Sequence, residues 1–224
     1  MREQLEKEIV RLKRMVSSLA SAVETAVQQA VAAAAGPNSE MAAAVIARDD
    51  AIDRTEITIE EECLKILALH QPVAGDLRYI ITILKVNGEL ERIGDLAVNI
   101  ARHTLDFANR RHEEVPEPVD FTEMVQLVRQ MLKRALDALV SRNCLDANEV
   151  MRLDGEVDVI NRRGFDRAME LIGKYPQNAA YYVDAMFISR HLERIGDCTT
   201  NICEDVIYLE LGKIVRHSRV EEPE

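Results

Sequence analysis

Glu91-Arg92-Ile93-Gly94-Asp95 lies inside a stretch, Glu89 to Ile100, that returns as His191 to Ile202 with Glu193-Arg194-Ile195-Gly196-Asp197 at its centre. A repeat of this kind constrains the chain more than any other feature, because it asks for two similar folded units joined in tandem. Within each copy the polar residues recur every fourth position: Glu91, Asp95 and Asn99, then Glu193, Asp197 and Asn201. That spacing places each trio along one side of a helix.

The surrounding hydrophobic pattern is helical throughout. Leu5, Ile9, Leu12, Val16, Leu19, Val23, Ala26 and Ala30 alternate steps of four and three, which predicts a long first helix. Gly36-Pro37-Asn38-Ser39 stops it and caps a second helix that carries Val45, Ile52, Ile59 and Ile66 to about His70. Gln71-Pro72 breaks the chain, since proline disfavours helix in the residue before it yet suits the first turn of the helix after it. A third helix then runs to about Asn109. Arg110 to Asp120, with Pro116 and Pro118, reads as a linker. The pattern restarts with a fourth helix on Phe121, Val128, Leu132 and Leu139, and Arg142-Asn143-Cys144 turns into a fifth around Val150, Val157 and Leu171. Tyr175-Pro176 breaks again, and a sixth helix from Ile188 to Leu209 stops at Gly212. Aromatic residues make up only 4% and Trp is absent, while 47% of residues are hydrophobic, a balance that favours long helices over a β-sandwich. The expected fold is all-α: two tandem three-helix bundles from internal duplication, residues 1–112 and 113–224, built from six long antiparallel helices.

Folding each hairpin about its proline sets residues equidistant from the turn level with one another. Asp53 then meets Glu91 and Asp49 meets Asp95; in the second half Asp158 meets Glu193 and Asp154 meets Asp197. The nearer pair of each row lies roughly 28 Å from its turn at the helical rise per residue. With apolar stripes centred near Ile93 and Ile195, the acids are expected on the outer faces. Carboxylates at one level repel by up to about 4 kcal/mol per pair at 4 Å, and a bound cation removes that penalty. Oxygen donors suit Mg, Mn, Ca or Fe, with Zn also open. Asn99 and Asn201 extend the rows either as ligands or as groups that orient a ligand. The competing reading treats the acids as solvated faces paired with Arg48, Arg54, Arg92 and Arg194; recurrence in both halves favours metal. Gly94 and Gly196, which cost about 1 kcal/mol each within a helix, read as points of close helix approach.

Other function classes are disfavoured. The formal charge is −11, and binding a nucleic-acid backbone needs a surplus of Lys and Arg. No apolar run is long enough to span a bilayer. Cys63, Cys144, Cys198 and Cys203 form no CxxC pair and no secretory leader opens the sequence, so reduced thiols in a cytoplasmic protein are expected. His70, His103, His112, His191 and His217 share no spacing and read as surface or locally satisfied residues. Without HExxH, a nucleophile elbow, a P-loop or paired Glu-x-x-His, no catalytic residue is assigned; a metal-dependent hydrolase or oxidase acting at the carboxylate rows is the rival reading. Asp76-Leu77-Arg78 places an acid favourably in the first turn of its helix.

The chain resembles the PhoU family of phosphate-uptake regulators. The likeness rests on both Glu-Arg-Ile-Gly-Asp phrases, on Gln71-Pro72-Val73-Ala74-Gly75-Asp76-Leu77-Arg78, on both Asp-x-x-x-Asp segments, and on Asn201 to Leu209 before Gly212. It departs where the second half has Asn178-Ala179-Ala180 in place of Asp76-Leu77-Arg78. The resemblance implies two pseudo-symmetric three-helix bundles, usually a dimer, with metal ions or multinuclear clusters (Fe, Mn, Mg or Zn) held by the E/DxxxD motifs. Carried onto this chain, Asp49, Asp53, Glu91 and Asp95 form one metal site and Asp154, Asp158, Glu193 and Asp197 the other. It also implies a non-enzymatic negative regulator of the phosphate-starvation response. Such a protein links the phosphate ABC transporter, through its ATPase, to a sensor histidine kinase, and reaches the membrane only through these partners.

Overall fold

The computed structural model describes residues 2–36, 38–109 and 115–215. It is all-helical there: α1 (Arg2–Ala35), α2 (Ser39–Ala47), α3 (Asp49–His70), α4 (Ala74–Asn109), α5 (Thr122–Ser141), α6 (Cys144–Lys174), a single 3-10 turn (Pro176–Asn178) and α7 (Ala179–Leu211). The boundaries follow local chemistry. Asn38 caps α2 by accepting the Met41 N–H at 3.0 Å, and Asn143 caps α6 by accepting the Leu145 N–H at 2.9 Å. Gln71, Arg142 and Gly212 end α3, α5 and α7 in the left-handed conformation. Of the expected linker, residues 110–114 lie outside the described residues, and residues 115–120 carry no helix.

One expected element divides. The second helix is interrupted at Arg48, whose N–H reaches back three residues to Val45 at 3.1 Å instead of four. No Pro or Gly marks the place. The pivot lets α2 pack on α4 and α1 while α3 continues along α4, and the Arg48 guanidinium donates to Gln29 of α1 at 3.1 Å.

The halves do not sit apart. Helices α4 and α7 form the most extensive helix pair, α1 also meets α5, and one continuous apolar core runs through all seven helices. A smaller cluster of Ala168, Leu171 and Tyr182 closes the α6–α7 tip. Helices α4 and α7 run antiparallel. Arg78 lies against Gly212, Lys85 meets Asp205 with 3.1 Å between Nζ and Oδ1, and the His103 ring stacks on Phe187 at 5.0 Å. Lys13 of the first half and Arg142 of the second both lie over the Tyr79 ring, at 5.3 and 5.7 Å.

The glycines of the repeat mark close approach. A Cβ on Gly94 would fall 3.3 Å from Ile52 Cγ2, and one on Gly196 would fall 3.2 Å from Asp154 Oδ1. All four thiols are free; Cys63, Cys198 and Cys203 are buried, and Cys144 is half-buried. Burial pushes Cys63 and Cys203 up to about 12 and raises Cys198 as well. No helix among the described residues is long and apolar enough to cross a membrane.

Gly212, at φ +68, would present a Cβ 3.3 Å from Arg78 Nη1. Gly212→Ala therefore lowers stability by about 1–2 kcal/mol in urea denaturation. Gly155→Ala, a helical position with nothing within 4 Å, raises it by about 1 kcal/mol.

Candidate metal centre

Asp49 and Asp53 stand at the start of α3, which runs beside the middle of α4, where Glu91, Asp95 and Asn99 lie. The same relation recurs between Asp154 and Asp158 on α6 and Glu193, Asp197 and Asn201 on α7. Each pair expected to be level is electrostatically coupled: Asp49 with Asp95, Asp53 with Glu91, Asp154 with Asp197, and Asp158 with Glu193.

Burial is the larger cause of the perturbed titration and mutual repulsion the second. It raises Asp49, with Asp53 and Asp95 adding to it, and raises Glu91, with Asp95 and Asp53 adding to it. In the second half burial and then Asp197, Asp158 and Glu193 push Asp154 up to about 6. Asp197 and Glu193 rise for the same reasons.

The outer-face expectation is corrected at one residue: Glu193 is only 8% exposed. Helix α7 is enclosed by α4, α5 and α6, so its buried sector is much wider than a single apolar stripe and takes in the flank that bears this acid. The Arg190 guanidinium donates to Glu193 Oε1 at 2.5 Å, while Glu193 Oε2 is buried without a hydrogen-bond partner. Asp49 Oδ1 is buried and unpartnered in the first row as well. Among the described residues no ion pair joins Arg48, Arg54, Arg92 or Arg194 to a row carboxylate; Arg190 makes a direct ion pair with Glu193, while Arg92, Arg102 and Arg194 oppose the repulsion from longer range. The donor chemistry fits a hard or borderline cation: carboxylates held near one another, partly desolvated, two with orphaned oxygens.

The asparagines continue the rows along α4 and α7, and Asn201 shares a cleft with Asp197. Asn99 accepts from Arg102 Nη1 at 3.2 Å. Asn201 lines a cleft of about 770 Å³ between α4 and α7 together with Glu89, Glu91, Arg92 and Glu204. Asp158 and Glu193 open into a separate cleft of about 520 Å³ lined by Asn161, Arg162, Phe165 and Arg190. Sequence reasoning missed Glu89, whose charge adds to the raised Asp197 and whose Oε2 is buried without a partner. It also missed the one three-residue group among the described residues whose ligand atoms all lie within 4.8 Å of one another: His103, Asp106 and Asp184. Among the described residues no three row carboxylates bring their ligand atoms within that distance of one another, although each row acid is coupled to others. No motif within either repeat points to His103, Asp106 and Asp184, because the α4–α7 contact is what assembles them.

The folded chain holds the Asp154 proton more tightly than the unfolded chain, whose value lies near 3.8. Its contribution to stability is thus fully present below about pH 4 and lost as the pH rises through about 6. In chelator-treated protein Asp154→Asn accordingly raises the melting temperature by a few degrees at pH 7.5, and the gain shrinks toward zero at pH 4.

The family model of the PhoU domain matches this chain twice, over residues 16–104 and 121–206. A phosphate-specific transport system accessory protein PhoU homolog of Aquifex aeolicus is 36% identical over 218 residues, 96% of this chain and 97% of that one. The homolog of Clostridium acetobutylicum is 34% identical over 95% of this chain and 94% of its own length. The corresponding protein of Escherichia coli is 32% identical, covering 96% and 88%. The crystal structure of PhoU from Pseudomonas aeruginosa superposes with a TM-score of 0.89 at 33% identity, covering 93% of this chain and 99% of that one. Matched twice by the domain model and along almost all of its length by these relatives, the chain belongs to the PhoU family.

Proposed function

We propose that this protein is an accessory regulator of phosphate uptake that acts without catalysing a reaction, as an adaptor between the ATPase of a phosphate ABC transporter and a sensor histidine kinase. In this role it is a negative regulator of the phosphate-starvation response, cytoplasmic, homodimeric, and at the membrane only through its partners. Residues 1–112 and 113–224 are its two repeat units. The relatives' description as phosphate-specific transport system accessory proteins supports the transport side of this reading.

Each unit holds metal at its acid row: Asp49, Asp53, Glu91 and Asp95 in the first, Asp154, Asp158, Glu193 and Asp197 in the second. Asn99 and Asn201 serve as further ligands or orient them. The observation that carries this part is the mutual repulsion of partly buried carboxylates across both helix pairs, with Asp49 Oδ1 and Glu193 Oε2 left unpartnered. Bound there, Fe, Mn, Mg or Zn would supply positive charge and fix the spacing of each helix pair; the residues keep the helices close and water partly excluded.

Adding Mn²⁺ at about a hundredfold excess over its Kd to chelator-stripped protein stabilises it by about 2.7 kcal/mol for each site filled. That corresponds to roughly 5–10 °C in melting temperature for a chain of this size. Asp95→Asn with Asp197→Asn removes the share of the gain that comes from the acid rows, and an undiminished gain removes the site assignment. Pull-down from a phosphate-replete cell extract recovers the transporter ATPase or the sensor kinase, identified by mass spectrometry. Recovery of neither, with phosphate-responsive transcription unchanged on deletion, defeats the adaptor reading. Turnover of phosphoesters or oxygen lost on Asp95→Ala and Asp197→Ala would favour an enzyme instead.

A further inference from the structure

Helices α4 and α7 meet at two ends that the internal duplication makes equivalent, and the two ends are chemically unlike. The repeat offset that carries Glu91 to Glu193 also carries Thr82 to Asp184, Lys85 to Phe187, His103 to Asp205 and Asp106 to Tyr208. At one end the Lys85 ammonium lies 3.1 Å from Asp205 and 5.2 Å from the centre of the Tyr208 ring. Positive charge is built into the chain there. At the other end the lysine position is taken by Phe187, and two carboxylates, Asp106 and Asp184, replace Tyr208 and Thr82 around the His103 imidazole.

That second end has the ingredients of a metal site. His103 Nδ1 lies 3.2 Å from Asp184 Oδ1, and ligand atoms of His103, Asp106 and Asp184 all fall within 4.8 Å of one another. Three donors at ordinary bond lengths of about 2.1 Å sit up to about 4 Å apart, so small side-chain rotations close the set. Asp184 is only 6% exposed, and the imidazole is fixed by its stack on Phe187 at 5.0 Å, which limits the ordering entropy that binding costs. Behind it the His191 ring centroid lies 5.5 Å away, with a buried Nδ1 that has no hydrogen-bond partner. A water carried by an ion would give that nitrogen one.

We propose that His103, Asp106 and Asp184 bind one divalent transition-metal ion, of the Mn²⁺, Fe²⁺ and Zn²⁺ class, at the contact between the two repeats. The ion ties the halves together at this end, as the contact of Lys85 with Asp205 does at the other. One imidazole and two carboxylates select this class over Ca²⁺ and Mg²⁺, which prefer oxygen alone. The site is separate from the acid rows and contains the nitrogen they lack.

Pulsed electron paramagnetic resonance on full-length protein loaded with Mn²⁺ alone tests this. The expected result is a ¹⁴N coupling from directly bound imidazole, present in the parent protein and in Asp95→Asn/Asp197→Asn, and lost in His103→Gln. Asp106 is exposed, so Asp106→Asn keeps its helical circular dichroism and carries the test should His103→Gln fail to fold. Its coupling at half-saturating Mn²⁺ falls at least threefold. No nitrogen coupling at saturating Mn²⁺, a coupling that persists in His103→Gln, or one unchanged in Asp106→Asn overturns the proposal. The acid rows are judged separately by the stabilisation experiment above, because oxygen-only ligands give no such coupling.

Discussion

The antiparallel packing of α4 on α7 is the constraint from which the rest of the molecule follows. Each of these helices is long and has helices on several sides, so each must be apolar over far more of its circumference than an ordinary surface helix. Leu96, Ala97 and Val98 are successive residues of α4, and all three are buried. What polar character remains is confined to narrow flanks, and those flanks carry the acid rows. The outer helices then have little freedom: α3 must lie along the row on α4, and α6 along the row on α7.

Gly94 and Gly196 set how closely they lie. Removing a side chain from the middle of a long helix sacrifices helix propensity, and each half recovers it through a different contact. In the first, the Ile52 side chain fills the space; in the second, the Asp154 carboxylate does. The second arrangement explains why Asp154 is the most strongly perturbed acid of the rows. It is pressed against an α7 backbone that offers it no donor, with three other carboxylates close enough to act on it.

Much of this was legible in residue order. Turns at Gln71-Pro72, Arg142-Asn143 and Tyr175-Pro176 carry their own chemistry, and counting outward from them pairs the acids correctly because long helices keep register. The break at Arg48 was not legible, since what interrupts the helix is the packing of α2 against α4 and α1, and no local breaker residue is involved. Glu193 departs from the outer face that its spacing implies because three neighbouring helices, not one, enclose α7. His103 and Asp184 stand far apart in sequence and on different hairpins. Only the crossing of α4 and α7 brings them together, and a motif search within either repeat has no access to it.

The placement of the thiols gives the molecule an internal clock. Cys63 lies in the core of one half, Cys198 and Cys203 in that of the other, and all three are both covered and reluctant to ionise. An alkylating reagent meets them only when the helices over them separate, so their order of modification records whether the two repeats part together or one at a time. Because a single core spans the tandem units, synchronous labelling is the behaviour this architecture dictates.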